Sequence, residues 1–365
     1  MQAYALQTVL ERMGHEVYVI HLNRDEIPFF SWKKKIMCYT KRFFFRYILG
    51  RKTYPIFFEE NERKALPIIR QNTDRFIKKH IKYYHINRFE EIGNEKYFDA
   101  YVVGSDQIWR KNSSPWSIEN SFLQFDKHSD TVKIAYAASF GIEKWDFTIE
   151  QTEICRALAK RFDIITVREK SGVELCKKHL GINAKWVLDP TMLLNVKEYQ
   201  KMAKDGNVSK SGGDLLVYIL DIDKEKDKIV NEIAINRELT PFYANKRVYD
   251  YFAPIEERTQ PSVESWLRGF TDAKFVVTDS YHGCVFSILF HKPFIVLLNE
   301  GRGLERIKSL LEMFNLKNRL IVSPKDATKI QDDIDWKRID SILEAKRKES
   351  MDTIIVTRYK NGNFV

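Results

Sequence analysis

The chain has 365 residues, 44% of them hydrophobic, which is enough for two domains with real cores. No apolar run approaches the roughly eighteen residues that span a bilayer, and fifteen glycines and ten prolines do not suggest low complexity. The net charge of +10 is concentrated locally, with fifteen Lys and Arg against four acids between Ser31 and His85.

Gln2 to Met13 carries Ala5, Leu6, Val9, Leu10 and Met13 on one helical face, and Gly14 ends it. Met1 leads straight into this pattern, unlike a signal peptide. Glu16 to Leu22 reads as a strand. A helix followed by a strand is the second half of a βαβ unit, so the expectation is a Rossmann-like domain whose first strand is missing from the chain; the alternative is a fold that begins with this helix. About residues 30–90 follow as a basic, helix-rich insertion interleaved with aromatics, including Phe29, Phe30, Trp32, Phe43, Phe44, Phe45, Tyr47, Phe57 and Phe58. Basic and aromatic residues together suit an anionic membrane surface; the alternative is a solvated helical face with its aromatics in the core. No nucleic-acid-binding motif is present, so no nucleic acid partner is expected.

Tyr97 to Val103 reads as a buried strand that opens into Gly104, Ser105, Asp106 and Gln107. Val132 to Phe140 is a second strand, Thr148 to Lys160 an amphipathic helix, and Asp163 to Val167 a third strand closed by Arg168-Glu169. A helix over Ser171 to His179 and a strand over Ala184 to Leu188 lead to the turn Asp189-Pro190-Thr191. The polar stretch 205–213 reads as a linker. Strands and helices alternate again over Leu215–Leu220, Lys224–Glu238, Thr240–Ala244, Val263–Ala273 and Lys274–Val277, and further helices are expected over Gly303–Phe314 and Trp336–Ser350. The division is therefore 1–204, linker 205–213, a second domain over 214–345, and a helical tail over 346–365. The fold class is α/β, with two Rossmann-like domains facing across a cleft in a GT-B-like arrangement.

The most informative stretch is Lys274 to Leu298, where a buried run meets Thr278-Asp279-Ser280-Tyr281-His282-Gly283 before a short helix and another buried run. In open α/β sheets ligands bind beyond the carboxyl ends of the strands, and the unpaired N–H groups of a following helix favour anions. Ser280, Tyr281, His282 and Gly283 thus mark a candidate anion site. His282 is suited to phosphate contact or proton transfer near neutral pH. Arg168, at a strand end, is suited to a phosphate or carboxylate, the alternative being a salt bridge to a neighbouring acid, and Arg302 and Arg306 would add positive charge. Asp106 is either a general base or a helix cap. Asp189-Pro190-Thr191 reads as a structural turn. Cys38, Cys155, Cys176 and Cys284 are scattered, as expected of reduced cytosolic thiols. Neither a metal-ligand cluster nor a GxGxxG or P-loop lysine motif is evident.

The ordered set VVGSDQIW, KIAYAASFG, DIITVREKSG, WVLDPTMLL and FVVTDSYHGCVFSILFHKPFIVL resembles the polysaccharide pyruvyl transferase family. QAYALQTVLERMGHEVYVI resembles that family's first helix and second strand. The resemblance implies transfer of a pyruvyl group from phosphoenolpyruvate to a sugar as a ketal, in capsular, exopolysaccharide or cell-wall glycan synthesis in bacteria. No cofactor is implied, since phosphoenolpyruvate is itself the donor substrate.

The family's donor-binding arginine matches Arg168, and its C-terminal histidine matches His282. Many members carry Arg two residues before that histidine, where this chain has Ser280. Either Arg302, Arg306 or a lysine replaces that contact, or the donor sits differently. With the resemblance, the donor set becomes Arg168, Ser280, Tyr281, His282, Gly283, Arg302 and Arg306, and the acceptor set Gly104, Ser105, Asp106 and Gln107. His282 and Asp106 are the expected catalytic pair, and no metal is expected. The acceptor is expected to be lipid-linked and the protein cytoplasmic, peripheral at the inner membrane face through 31–85. Alternatives are a nucleotide-sugar-dependent glycosyltransferase of GT-B form and an inactive or truncated binding protein.

Overall fold

Apolar runs flanked by polar turns become fully buried parallel strands, as the C-terminal half illustrates. Its strands β7 (Leu215–Tyr218), β8 (Pro241–Tyr243), β9 (Phe275–Thr278), β10 (Phe294–Leu297) and β11 (Leu320–Ile321) form one parallel sheet in the order β11-β10-β9-β7-β8. Every residue of β9 and β10 is buried, as expected of a sheet covered on both faces. The strand order reverses at β7, between β8 and β9. A ligand crevice is expected at the carboxyl ends there, and β9 delivers Ser280 to His282 to that edge.

The computed structural model describes residues 1–23, 27, 30–51, 54–93, 98–111, 113, 116–321, 333–354, 359–360 and 363–364. Phe29, Tyr97 and part of the expected tail (355–358, 361–362 and 365) lie outside the described residues. In the N-terminal half, β3 (Ala100–Val103), β4 (Val132–Ala138), β5 (Ile164–Val167) and β6 (Lys185–Trp186) form a parallel sheet in sequential order. A separate parallel pair joins β1 (Val19–Leu22) to β2 (Tyr83–Ile86). The two sheets share a small core that includes Ile20, Ile86 and Tyr101.

Several elements differ from the sequence reading, among them the unexpected strand β11 and the following three. The basic insertion contains two helices, Trp32–Tyr47 and Phe58–His80, but it ends earlier than expected because Tyr83–Ile86 is a strand. Val196–Asp205, just before the linker, is a helix capped by Asn195 and Glu198. The terminal helix runs Trp336–Ile354, unbroken across the boundary expected at 345/346. It returns to the N-terminal half, where Ser350 Oγ accepts from Leu188 N at 3.0 Å and Arg347 Nε donates to the Met192 carbonyl at 2.9 Å. One continuous hydrophobic core joins the halves, with Leu6, Tyr136 and Tyr199 on one side and Phe270, Tyr281 and Phe286 on the other.

Candidate active site

Every loop expected to carry chemistry leaves the carboxyl end of a strand, and the two halves bring most of these loops together. Beyond β3 the backbone turns at Gly104, whose φ is +130°. A Cβ there would lie 2.1 Å from the Tyr136 carbonyl oxygen, so only glycine lets the loop pass so close to β4. Ser105 Oγ accepts from Gln2 Nε2 at 2.7 Å. Gln107 Oε1 accepts from Arg110 Nη1 at 2.7 Å. Gln2, Ala3, Leu6, Gly104 to Ile108 and Ser113 line a cavity of about 320 Å³.

Arg168 follows β5 and its side chain is wholly buried. Nη1 donates to Asp189 Oδ2 at 2.7 Å and Nη2 donates to Asp106 Oδ1 at 3.2 Å. Its Nε is buried without a hydrogen-bond partner. Asp189 is equally buried. It caps Thr191 through Oδ1, while Oδ2 also accepts from Gln2 Nε2 at 2.9 Å. Burial opposes the Asp189 charge, but His282, Arg168 and Thr191 outweigh it and hold its pKa far below the ordinary carboxylate value. The turn is therefore structural, as read, and is also the anionic anchor of the site, which was not anticipated. Glu169, likewise unanticipated, is fully buried. Its Oε1 accepts from Phe140 N at 2.7 Å and Gly141 N at 3.0 Å, fixing the loop after β4. Burial raises its pKa despite the adjacent Arg168.

From the C-terminal half, Ser280 is the N-cap of helix Tyr281–Leu289. Tyr281, His282 and Gly283 thus form its first turn, where N–H groups lack helical acceptors. The Tyr281 ring lies under both arginines, 4.5 Å from Arg168 Cζ and 5.5 Å from Arg306 Cζ. His282 Nε2 is buried without a hydrogen-bond partner and lies 3.8 Å from Asp189 Oδ2, too far for a direct bond. Gly283 has a packing role, because a Cβ there would sit 2.1 Å from Thr278 Oγ1.

Arg306 and Arg302 part company. Arg306 Nη1 donates to Asp106 Oδ1 at 3.0 Å, so one carboxylate oxygen receives an arginine from each half. Burial and the neighbouring Arg168 charge push the Arg306 pKa down to about 10, which still leaves it charged at neutral pH. Arg302 instead makes a two-pronged, half-exposed pair with Asp221, both contacts at 2.7 Å. Its side chain is thus engaged by Asp221 rather than by Asp106. Lys170 ties the two halves beside the cluster, through its N to Ser309 Oγ at 3.0 Å and its Nζ to Glu312 Oε1 at 2.6 Å.

Asp106, expected as a general base or a helix cap, is here an ion-pair partner. Although 65% of its side-chain surface is open to the cleft, it is engaged by two guanidiniums. Lost hydration opposes its charge, but Arg168, Arg306 and His282 prevail and hold its pKa below the ordinary value. A carboxylate held this way is a weaker base than the sequence reading required.

A family model described as polysaccharide pyruvyl transferase matches residues 1–301. The chain belongs to the polysaccharide pyruvyl transferase family. No curated protein matches it. Among solved structures it is similar to a variant of the wall teichoic acid polymerase TagF, with 11% identity and a TM-score of 0.38 over 88% of this chain and 92% of that one. TagF itself gives 11% identity and a TM-score of 0.34, over 89% of this chain and 92% of that one. At such scores the likeness adds nothing to the fold read from the sheets. As a pyruvyl transferase family member the chain is a transferase acting in polysaccharide synthesis. Among the described residues no group of His, Cys, Asp or Glu is arranged to hold a metal ion.

Proposed function

We propose that this pyruvyl transferase takes phosphoenolpyruvate as donor and places its pyruvyl group on two hydroxyls of a glycan as a cyclic ketal. One observation carries the reading. Arg168 and Arg306, from opposite halves, converge on a single oxygen of Asp106 beside His282. Two guanidiniums reaching one anion can reach another, and phosphoenolpyruvate offers both a carboxylate and a phosphate. The first-turn N–H groups of helix Tyr281–Leu289 would add donors for the phosphate. The glycan hydroxyls would enter through the cavity lined by Gln2, Ser105 and Gln107.

The chemistry balances with one proton carrier. His282 gives a proton to the terminal methylene, which becomes a methyl group, and the central carbon turns electrophilic. A sugar hydroxyl attacks that carbon and returns its proton to His282. The second hydroxyl then displaces phosphate, closes the ring, and sends its proton away with the leaving group. In this scheme Asp106 is no base. It is the resident anion that the donor must displace.

Inorganic phosphate release tests the proposal. It should require both phosphoenolpyruvate and a glycan acceptor. Sugar transfer from a nucleoside diphosphate sugar, with no turnover of phosphoenolpyruvate, would replace this reading with the glycosyltransferase one.

A further inference from the structure

The helix Trp32–Tyr47 is packed inside out. Its inner face meets helix Phe58–His80 through charges. Lys35 Nζ lies 2.8 Å from Glu60 Oε1, the Tyr39 hydroxyl donates to Glu60, and Arg42 forks onto Glu59 at 2.7 and 2.6 Å. None of its residues is buried. Its exposed apolar side chains lie off that face: by helical spacing Trp32, Ile36, Phe43 and Tyr47 form a stripe roughly a quarter turn from it, and Met37 and Phe44 form a neighbouring stripe on the opposite side. Trp32 is 68% exposed, and Met37 and Tyr47 are each 61% exposed. Ten of the nineteen exposed large apolar side chains among the described residues lie between Trp32 and Phe57, and six of these are on this one helix. Helix Phe58–His80 is not part of it. It is held to the C-terminal half by the buried Glu62–Arg258 pair, with Ile69 and Phe76 in the interior.

Charge decides the occupant. From Ser31 to Arg51 there are seven Lys and Arg and no Asp or Glu. A second copy of this face would bring like charges together, which disfavours a symmetric self-contact. Aromatic side chains flanked by lysines, with Lys33, Lys34 and Lys41 beside the stripes, suit the boundary between headgroups and acyl chains. No described helix is long and apolar enough to cross a membrane, so the contact would be at the surface. We propose that the outer face of helix Trp32–Tyr47 docks this protein on an anionic lipid bilayer. A lipid-linked glycan acceptor would then be presented in the plane where the enzyme sits, a consequence that depends on the pyruvyl transfer reading, whereas the docking itself does not.

Co-sedimentation of the full chain with vesicles tests the docking. Phosphatidylcholine vesicles containing phosphatidylglycerol should pull the protein down at low salt, and vesicles of phosphatidylcholine alone should not. Removing three lysine charges (K33Q, K34Q and K41Q together) should weaken binding about a hundred-fold, and the W32S, F43S and Y47S triple variant should abolish it. Each variant should keep the far-ultraviolet dichroism of the parent, since no buried residue changes. Failure to sediment with anionic vesicles, or equal binding to both vesicle types, overturns the proposal. So does concentration-dependent dimerisation in sedimentation equilibrium that the same serine substitutions remove, which would assign the face to a second copy.

Discussion

Arg168 Nη1 lies 2.7 Å from Asp189 Oδ2, and neither side chain has any exposed surface. This pair joins the loops after β5 and β6 at the floor of the cleft, and His282 of the other half approaches the same oxygen at 3.8 Å. Such a buried pair is weak evidence for stability as a whole, but breaking it leaves an uncompensated charge.

Asp189→Asn should therefore cost about 3–5 kcal/mol near neutral pH, read by urea denaturation. The pH dependence has a definite sign. The folded pKa of Asp189 lies below its ordinary value of 3.8, so the unfolded chain binds the proton first as acid is added. Its contribution is complete above 3.8 and is lost as pH falls towards the folded value. The variant should lose less stability than the parent on acidification. An equal acid loss in both proteins would remove Asp189 as the anchor.

Asp106→Asn separates a resident anion from a base. If Asp106 competes with the donor for Arg168 and Arg306, the KM for phosphoenolpyruvate should fall about five-fold, the effect of a competitor worth about 1 kcal/mol. kcat should hold. A collapse of kcat with unchanged KM would restore the general-base role.

Arg306 and Arg302 should behave differently when replaced. Arg306→Met removes a charge-assisted contact worth about 2 kcal/mol, so kcat/KM for the donor should drop about thirty-fold. Arg302→Met breaks only the half-exposed pair with Asp221 and should leave donor kinetics nearly unchanged. Steady-state kinetics with varied phosphoenolpyruvate would show the split.

Gly283→Ala should destabilise the protein by about 1–3 kcal/mol through overpacking against Thr278. A thermal melt would show this. An unchanged melting temperature would mean that the helix start can shift away from β9.

Much of this was legible in the sequence where one local signal sufficed. Buried runs such as Phe275–Thr278 and Ile164–Val167 are short, apolar and followed by polar turns, so they read directly as parallel strands. The helix Val196–Asp205 was missed because its buried positions are only Tyr199 and Ala203, set among lysines beside a glycine-rich stretch. Strand Tyr83–Ile86 was hidden by the basic residues before it, and only its pairing with Val19–Leu22 defines it. Asp189 read as a turn because its cap on Thr191 is local, whereas its bonds to Arg168 and Gln2 join distant segments. The same holds for Arg302 and Arg306. Four residues apart, they are separated by folding into one that reaches Asp106 and one that pairs with Asp221. The outward aromatics of Trp32–Tyr47 carry the same sequence signal as core residues, and only the charged contacts with Phe58–His80 set them apart.

The most direct measurement is release of phosphate from phosphoenolpyruvate in the presence of a glycan acceptor, comparing the parent with Arg306→Met and His282→Ala. One anion site built from both halves predicts turnover in the parent, a raised donor KM in the arginine variant and near-complete loss in the histidine variant. Undiminished turnover in both variants would contradict it.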